Sequence, residues 1–157
     1  MDDALLAEYR ASTYLVCLDT LQWAPIRIDA SLPGSLQHLV GERAWAFITA
    51  WNPRSIKRPD RENDAAQKAL RAALLASDGL AALYPGVGIG SNGWYEPGFF
   101  VVGLEPEVLD MLGTAHAQNA YVCGRGASQA SLRMLCAVTA ATGAMDIPPW
   151  HCGQSRK

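Results

Sequence analysis

The sequence predicts an α+β fold, a two-layer sandwich on a ferredoxin-like β-α-β-β-α-β core with an extra N-terminal strand pair. Three observations predict it. The run Trp45–Trp51, uncharged and rich in aromatic and apolar residues, is the strongest strand signal in the chain. Two later stretches, beginning at Asp60 and at Pro106, repeat apolar residues at helical spacing. Strand-like runs flank these stretches in the succession strand, helix, strand, strand, helix, strand, which places two helices on one face of an antiparallel sheet.

Taken in order, Asp2–Arg10 carries Leu5, Leu6 and Tyr9 on one helical face, with Asp3 and Glu8 turned to water. Thr13–Leu18 reads as a buried strand, and Pro25–Asp29 alternates apolar with polar residues, so the two form the N-terminal strand pair, extending or capping the sheet. Leu36, Leu39 and Val40 mark a helix within Pro33–Glu42 that closes at Gly41. The Trp45 strand stops at Asn52-Pro53, because proline cannot donate to a ladder and disfavours helix in the residue before it. The loop Asn52–Pro59 leads to a helix with Asp60 as N-cap and Ala66, Leu70, Ala73 and Leu74 on its core face. Leu80–Tyr84 reads as a strand, Gly86–Gly93 as a flexible glycine-rich loop, and Phe99–Leu104 as a strand. Pro106 then starts a helix at its first turn, and Asn119–Cys123 and Ser131–Leu135 supply further strands. Beyond Leu135 the composition shifts to Ala, Thr, Gly and Pro, so residues 1–135 are expected to form one domain and 136–157 an appended tail.

Composition excludes several classes. Of 157 residues, 50% are hydrophobic and 18% charged, enough to fill one core and far from the profile of disorder. A net charge of −2 supplies no field to hold a polyanion, so nucleic acid is not an expected partner. No apolar run approaches the length of a membrane span, and Met1-Asp2-Asp3 lacks the basic start of a secretory signal, so a cytoplasmic protein is expected. Cys17, Cys123, Cys136 and Cys152 form no C-x-x-C pair and read as thiols rather than a disulfide framework. His38, His116 and His151 show no ligand spacing, and neither a metal nor a cofactor is expected.

The chemistry-bearing residues gather in three places. Asn52, Arg54, Ser55, Lys57, Arg58 and Arg61 crowd the start of a helix, where backbone N–H groups and Arg54 would suit an anion. A solvated surface loop balanced by Asp60, Glu62 and Asp64 is the plainer alternative. Gly88–Gly93 matches G-x-G-x-x-G, but a dinucleotide loop must open a helix, whereas Trp94–Gly98 leads into a strand. Trp94 and Glu96 close that loop, and Glu96 is a candidate general acid or base or else one solvated carboxylate on an aromatic rim. Gln118-Asn119, at a helix-to-strand junction, serves either a ligand or the local backbone.

Together, the segments Phe47–Ser55, Glu62-Asn63 with Ala66-Gln67, Trp94-Tyr95-Glu96, Leu112-Gly113 and Gln118-Asn119-Ala120 resemble the bacterial family called domain of unknown function 3293, over roughly Leu5 to Leu135. The resemblance supplies no activity. It implies that Trp51, Asn52, Ser55, Asn63, Glu96, Gln118 and Asn119 belong to a shared pattern. One position departs from it: Ala117 stands where the family often has a bulky aromatic. The leading expectation is a domain binding a small polar or anionic ligand through Trp51, Asn52, Arg54, Ser55, Asn63, Trp94, Gln118 and Asn119. The alternatives are a hydrolase or transferase with Glu96 as its catalytic group, and a protein-interaction or accessory module.

Overall fold

Glycines placed under aromatic rings, and strands apolar on both faces, decide how this sheet is built. The computed structural model describes residues 1–136. Its elements are α1 (Asp3–Ala11), β1 (Thr13–Cys17), β2 (Trp23–Ile26), α2 (Gly34–Val40), β3 (Ala44–Ile48), α3 (Asp60–Leu75), β4 (Ala82–Ile89), β5 (Tyr95–Val102), α4 (Pro106–Ala115), β6 (Ala120–Arg125) and β7 (Ser131–Met134). The strands form one sheet in the order β2-β1-β4-β5-β3-β6-β7, with every neighbouring pair antiparallel. The N-terminal strand pair extends the sheet through the β1–β4 ladder.

The fold is α+β, and its sheet curls into a half-barrel. Asp29 N–H donates to the Ala130 carbonyl at 2.8 Å, Ala130 N–H to the Ala30 carbonyl at 2.9 Å, and Ser31 bridges Gln129. These bonds tie the chain beyond β2 to the chain before β7, the outermost strands of the sheet.

Each face carries its own apolar cluster. Trp45, Phe47, Phe100 and Val102 pack with Val16, Ile26 and the α2 residues Leu36 and Val40. Ala46, Ile48 and Val101 pack with Leu70 and Leu74 of α3 and Leu109 of α4. All five residues of β3 are buried, which is why its sequence runs apolar without alternation. The expected pair of helices on one face accounts for α3 and α4, while the curl and α2 add an apolar layer on the other.

The structure corrects two local readings. The glycine-rich stretch is no flexible loop as far as Ile89: Gly86 and Gly88 are β4 residues, paired with Gly98 and Glu96 of β5. The reason is steric. A Cβ at Gly86 would stand 2.6 Å from the Phe47 ring, and one at Gly98 2.5 Å from it, so the two facing glycines make the bed on which that ring lies. Only the short connection beyond is a loop, closed by Gly90 N–H to the Trp94 carbonyl at 2.8 Å and Trp94 N–H to the Ser91 carbonyl at 2.9 Å. At α3 the cap position is Pro59, without a side-chain cap, and Asp60 is the first helical residue.

Cys17 and Cys123 are free and half-buried, whereas Cys136 is disulfide-bonded, unlike the thiol reading of all four. The remainder of the expected tail, including His151 and Cys152, lies outside the described residues.

The Phe47 bed gives a stability prediction. Gly86→Ala should lower unfolding free energy by about 1–3 kcal/mol through overpacking, read as a fall in urea midpoint. Gly34→Ala, at a helix start with open space around it, should be neutral or stabilising by about 0.4–1 kcal/mol.

Candidate functional site

The W-N-P-R-S turn after β3 adopts a conformation that residues with a Cβ rarely take. Asn52, Arg54 and Ser55 all lie in the left-handed region, at φ of 47°, 57° and 59°. Such geometry costs about 1–2 kcal/mol per ordinary residue, so the surroundings must over-determine it. A buried amide pair does this. Asn52 N–H donates to Asn63 Oδ1 at 2.9 Å, and Asn63 Nδ2 donates back to Asn52 Oδ1 at 2.9 Å. The same Asn52 oxygen accepts Arg58 N–H at 3.1 Å, while Asn63 Nδ2 also reaches the Arg58 carbonyl at 3.2 Å. Asn63 is 1% exposed and Asn52 6%, so water is no substitute partner.

The turn is held from its other side by the α4–β6 junction. Gln118 Nε2 donates to the carbonyls of Trp51 and His116 at 3.3 Å. Arg54 N–H bonds the carbonyl of Ala117, itself left-handed at φ 51°, and the Arg54 guanidinium reaches the Gln118 carbonyl at 3.4 Å. The β3 exit is pinned to β5: Thr49 Oγ1 donates to the Pro97 carbonyl at 2.6 Å and accepts Trp51 N–H at 2.9 Å. Gln67 of α3 donates to the same Pro97 carbonyl at 3.2 Å.

With the turn fixed, polar groups are left to face a cavity of about 490 Å³. Asn52 Nδ2 donates to Glu96 Oε1 at 3.3 Å, and Asn119 Nδ2 donates to Ser55 Oγ at 3.2 Å. Ser55, Trp94 and Glu96 line the cavity together with Lys57. Its opposite wall comes from Glu8 and Tyr9 of α1, with Ser12 and Tyr14 beside them. At the hairpin connection Ser91 Oγ donates to Glu8 Oε2 at 2.7 Å, joining the two walls.

Burial governs the electrostatics. Desolvation raises the Glu96 carboxyl from 4.5 to about 7, and the hydrogen bonds from Asn52 and Trp94 offset only part of it. Burial likewise pushes the Tyr9 and Tyr14 hydroxyls upward, with the Glu96 charge adding to both shifts, while Ser55 and Asn119 partly oppose it at Tyr9. Lys57 Nζ lies 5.5 Å from the centroid of the Trp94 ring, within cation–π range. A partly enclosed carboxyl of this kind can accept or release a proton near neutrality and can pair with a cation brought into the cavity.

Of the residues expected at a site, Glu96, Ser55 and Trp94 reach the cavity directly, and Asn52 and Asn119 touch it through Glu96 and Ser55. Trp51, Asn52 and Asn63 border a smaller hollow of about 150 Å³ on the far side of Trp94. Gln118 faces an internal void of about 30 Å³ that Tyr9, Tyr14 and Glu96 share. Arg54 lines none of these hollows, and its guanidinium goes to the backbone. Asn63 and Gln118 are backbone braces.

The N-terminal wall was missing from the sequence reading. Tyr9 and Tyr14 carry the signature of ordinary core aromatics, and only Glu8 with Ser12, polar residues one helical turn apart, hinted at another use. Among the described residues no group of three or more His, Cys, Asp or Glu side chains could hold a metal, and no helix is long and apolar enough to cross a membrane.

Residues 48–121, from the end of β3 through the amide pair and Glu96 to the start of β6, match the family described as Protein of unknown function (DUF3293). The match assigns this segment, residues 48–121, to that family. No curated protein and no solved structure matches the chain. The DUF3293 segment contains the turn, Glu96 and the Gln118-Asn119 junction, while the cavity wall formed by Glu8, Tyr9 and Tyr14 lies outside it.

Two measurements probe this architecture. Asn63→Ala strips the partner from the buried Asn52 N–H and one of two donors from the Asn52 amide oxygen, which keeps Arg58 N–H, and should cost about 1–3 kcal/mol for the N–H left unsatisfied. A double-mutant cycle with Asn52→Gly, which keeps the left-handed backbone, should show a coupling of about 0.5–3 kcal/mol. The pH dependence has a definite sign. Glu96 holds its proton more tightly folded than unfolded, so its contribution to stability is fully present below about 4.5 and is lost as pH rises to about 7, by about 1.4 kcal/mol per unit. Glu96→Gln should remove this slope, measured as the difference between two denaturation series.

Proposed function

We propose that this protein binds a small polar ligand in the cavity between α1 and the W-N-P-R-S turn, with Glu96 as the anchoring group. One observation carries the reading: a half-buried carboxyl, oriented by the Asn52 amide, faces a partly enclosed cavity walled by aromatic side chains. The volume of about 490 Å³ suits a small molecule, and an aromatic lining with a few convergent polar groups is the usual composition of such sites. Ser55, oriented by Asn119, supplies a hydroxyl that both donates and accepts. The anionic alternative has less support, because Arg54 is occupied by a backbone carbonyl and, among the described residues, Lys57 is the one cationic side chain lining the cavity. The strand order β4-β5-β3-β6, with α3 and α4 in its connections, supports reading the core as ferredoxin-like.

A second reading, acid–base catalysis, draws on the position of the Glu96 pKa near 7, where one group serves as acid and base at neutral pH. The two readings diverge in the same variant. Thermal-shift screening against polar metabolites should find a compound that stabilises the wild type, by about 2.7 kcal/mol at a hundredfold excess over Kd. Glu96→Gln should lose that response if Glu96 anchors the ligand. A variant that binds the compound unchanged but no longer converts it assigns Glu96 to catalysis instead.

A further inference from the structure

The walls of the cavity have a charge character that its floor alone does not reveal. Two carboxylates, Glu8 and Glu96, line it against the single amine of Lys57. Among the described residues neither carboxylate has a lysine or arginine partner; the ion pairs join Arg125 to Glu105 and Arg133 to Asp110. Tyr9, Tyr14 and Trp94 line the same cavity as the two acids. A Cβ at Gly90 would touch Trp94, and one at Gly88 would lie 3.3 Å from the Tyr14 ring, so both aromatics rest against the backbone of the same hairpin. Aromatic faces carry negative quadrupole charge and attract cations, most strongly at tryptophan. Trp94 already shows this, since its ring holds the Lys57 ammonium.

We propose that the ligand of this cavity is an organic cation, its ammonium group seated among Tyr9, Tyr14 and Trp94 and paired with the Glu96 carboxylate. The inference rests on the ligand-binding reading above and names the charge of the ligand. A carboxylate at the end of an aromatic-walled cavity is costly to bury alone, and a bound ammonium neutralises it where solvent cannot. Hydroxyls of Ser12, Ser55 and Ser91 can accept the ammonium protons left over. An anion would instead meet two like charges. The Lys57 ammonium lies over the Trp94 ring and both side chains line the cavity, so Lys57 competes with a cationic ligand for that ring rather than assisting it.

Three probes of one shape and different charge test this: benzylamine, benzyl alcohol and benzoate, titrated into the isotope-labelled full chain with the backbone amides of Gly88, Gly90 and Ser91 as reporters. Benzylamine should bind roughly tenfold or more tighter than benzyl alcohol, with benzoate weakest. Glu96→Gln should weaken benzylamine while leaving benzyl alcohol unchanged, and Lys57→Met should strengthen benzylamine. An unchanged amide spectrum away from the cavity shows that each variant is folded. Benzyl alcohol or benzoate binding as tightly as benzylamine, or variant effects of opposite sign, would overturn the cation and leave the ligand pocket standing. If none of the three probes shifts those amides, the pocket reading falls together with the inference.

Discussion

The reciprocal hydrogen bonds between Asn52 and Asn63 are the constraint on which the rest of the site depends. A single buried amide bond adds about 1 kcal/mol net, but a buried donor or acceptor without a partner forfeits its whole hydration. Each asparagine satisfies the other, and together they satisfy Arg58, so departure of the turn from its left-handed path strands several groups at once. That is how three consecutive-region residues, Asn52, Arg54 and Ser55, keep positive φ without glycine. From this fixed turn the spare amide hydrogen of Asn52 meets Glu96, and Ser55 meets Asn119.

The site therefore divides by role. Asn63, Gln118, Thr49 and Gln67 are consumed in holding main-chain atoms, and their polarity says nothing about a ligand. Glu96, Ser55 and Trp94 keep open valences toward a cavity. Both groups fall within residues 48–121, so the family segment encloses a turn, its braces and the chemical groups it presents. The α1 and β1 wall determines what those groups see: its tyrosines deprive Glu96 of water, and burial raises the carboxyl.

Much of this could be read in the residues. The unbroken apolar run of β3 announced a strand, and helical spacing marked α3 and α4. The polar residues at 52, 55, 63, 96, 118 and 119 were recognisable as a set, yet their division into braces and presented groups was not. Asn52 and Asn63 are eleven positions apart and meet only because α3 folds back along the turn. Gly86 and Gly98 lacked any strand signal, since the side chain that makes them strand residues belongs to Phe47 on a different element. Tyr9 and Tyr14 escaped notice for the converse reason: an aromatic that lines a cavity and one that fills a core look alike in one dimension.

The position of α1 bears on how anything enters. This helix buries no residue, and its polar ties to the rest include the Ser91–Glu8 bond, the hydrogen bond from the Tyr14 hydroxyl to the Tyr9 carbonyl at 3.1 Å, and the Tyr9 hydroxyl's interactions with Ser55 and Asn119. The sheet beneath it is locked by six antiparallel ladders and by the Ser31–Gln129 bridge. Local stability follows buried contact, so the first turns of the chain belong to the segment that opens at least free energy. For the ligand proposed above, entry past α1 would then be timed by fraying of the N-terminus while the sheet stays intact.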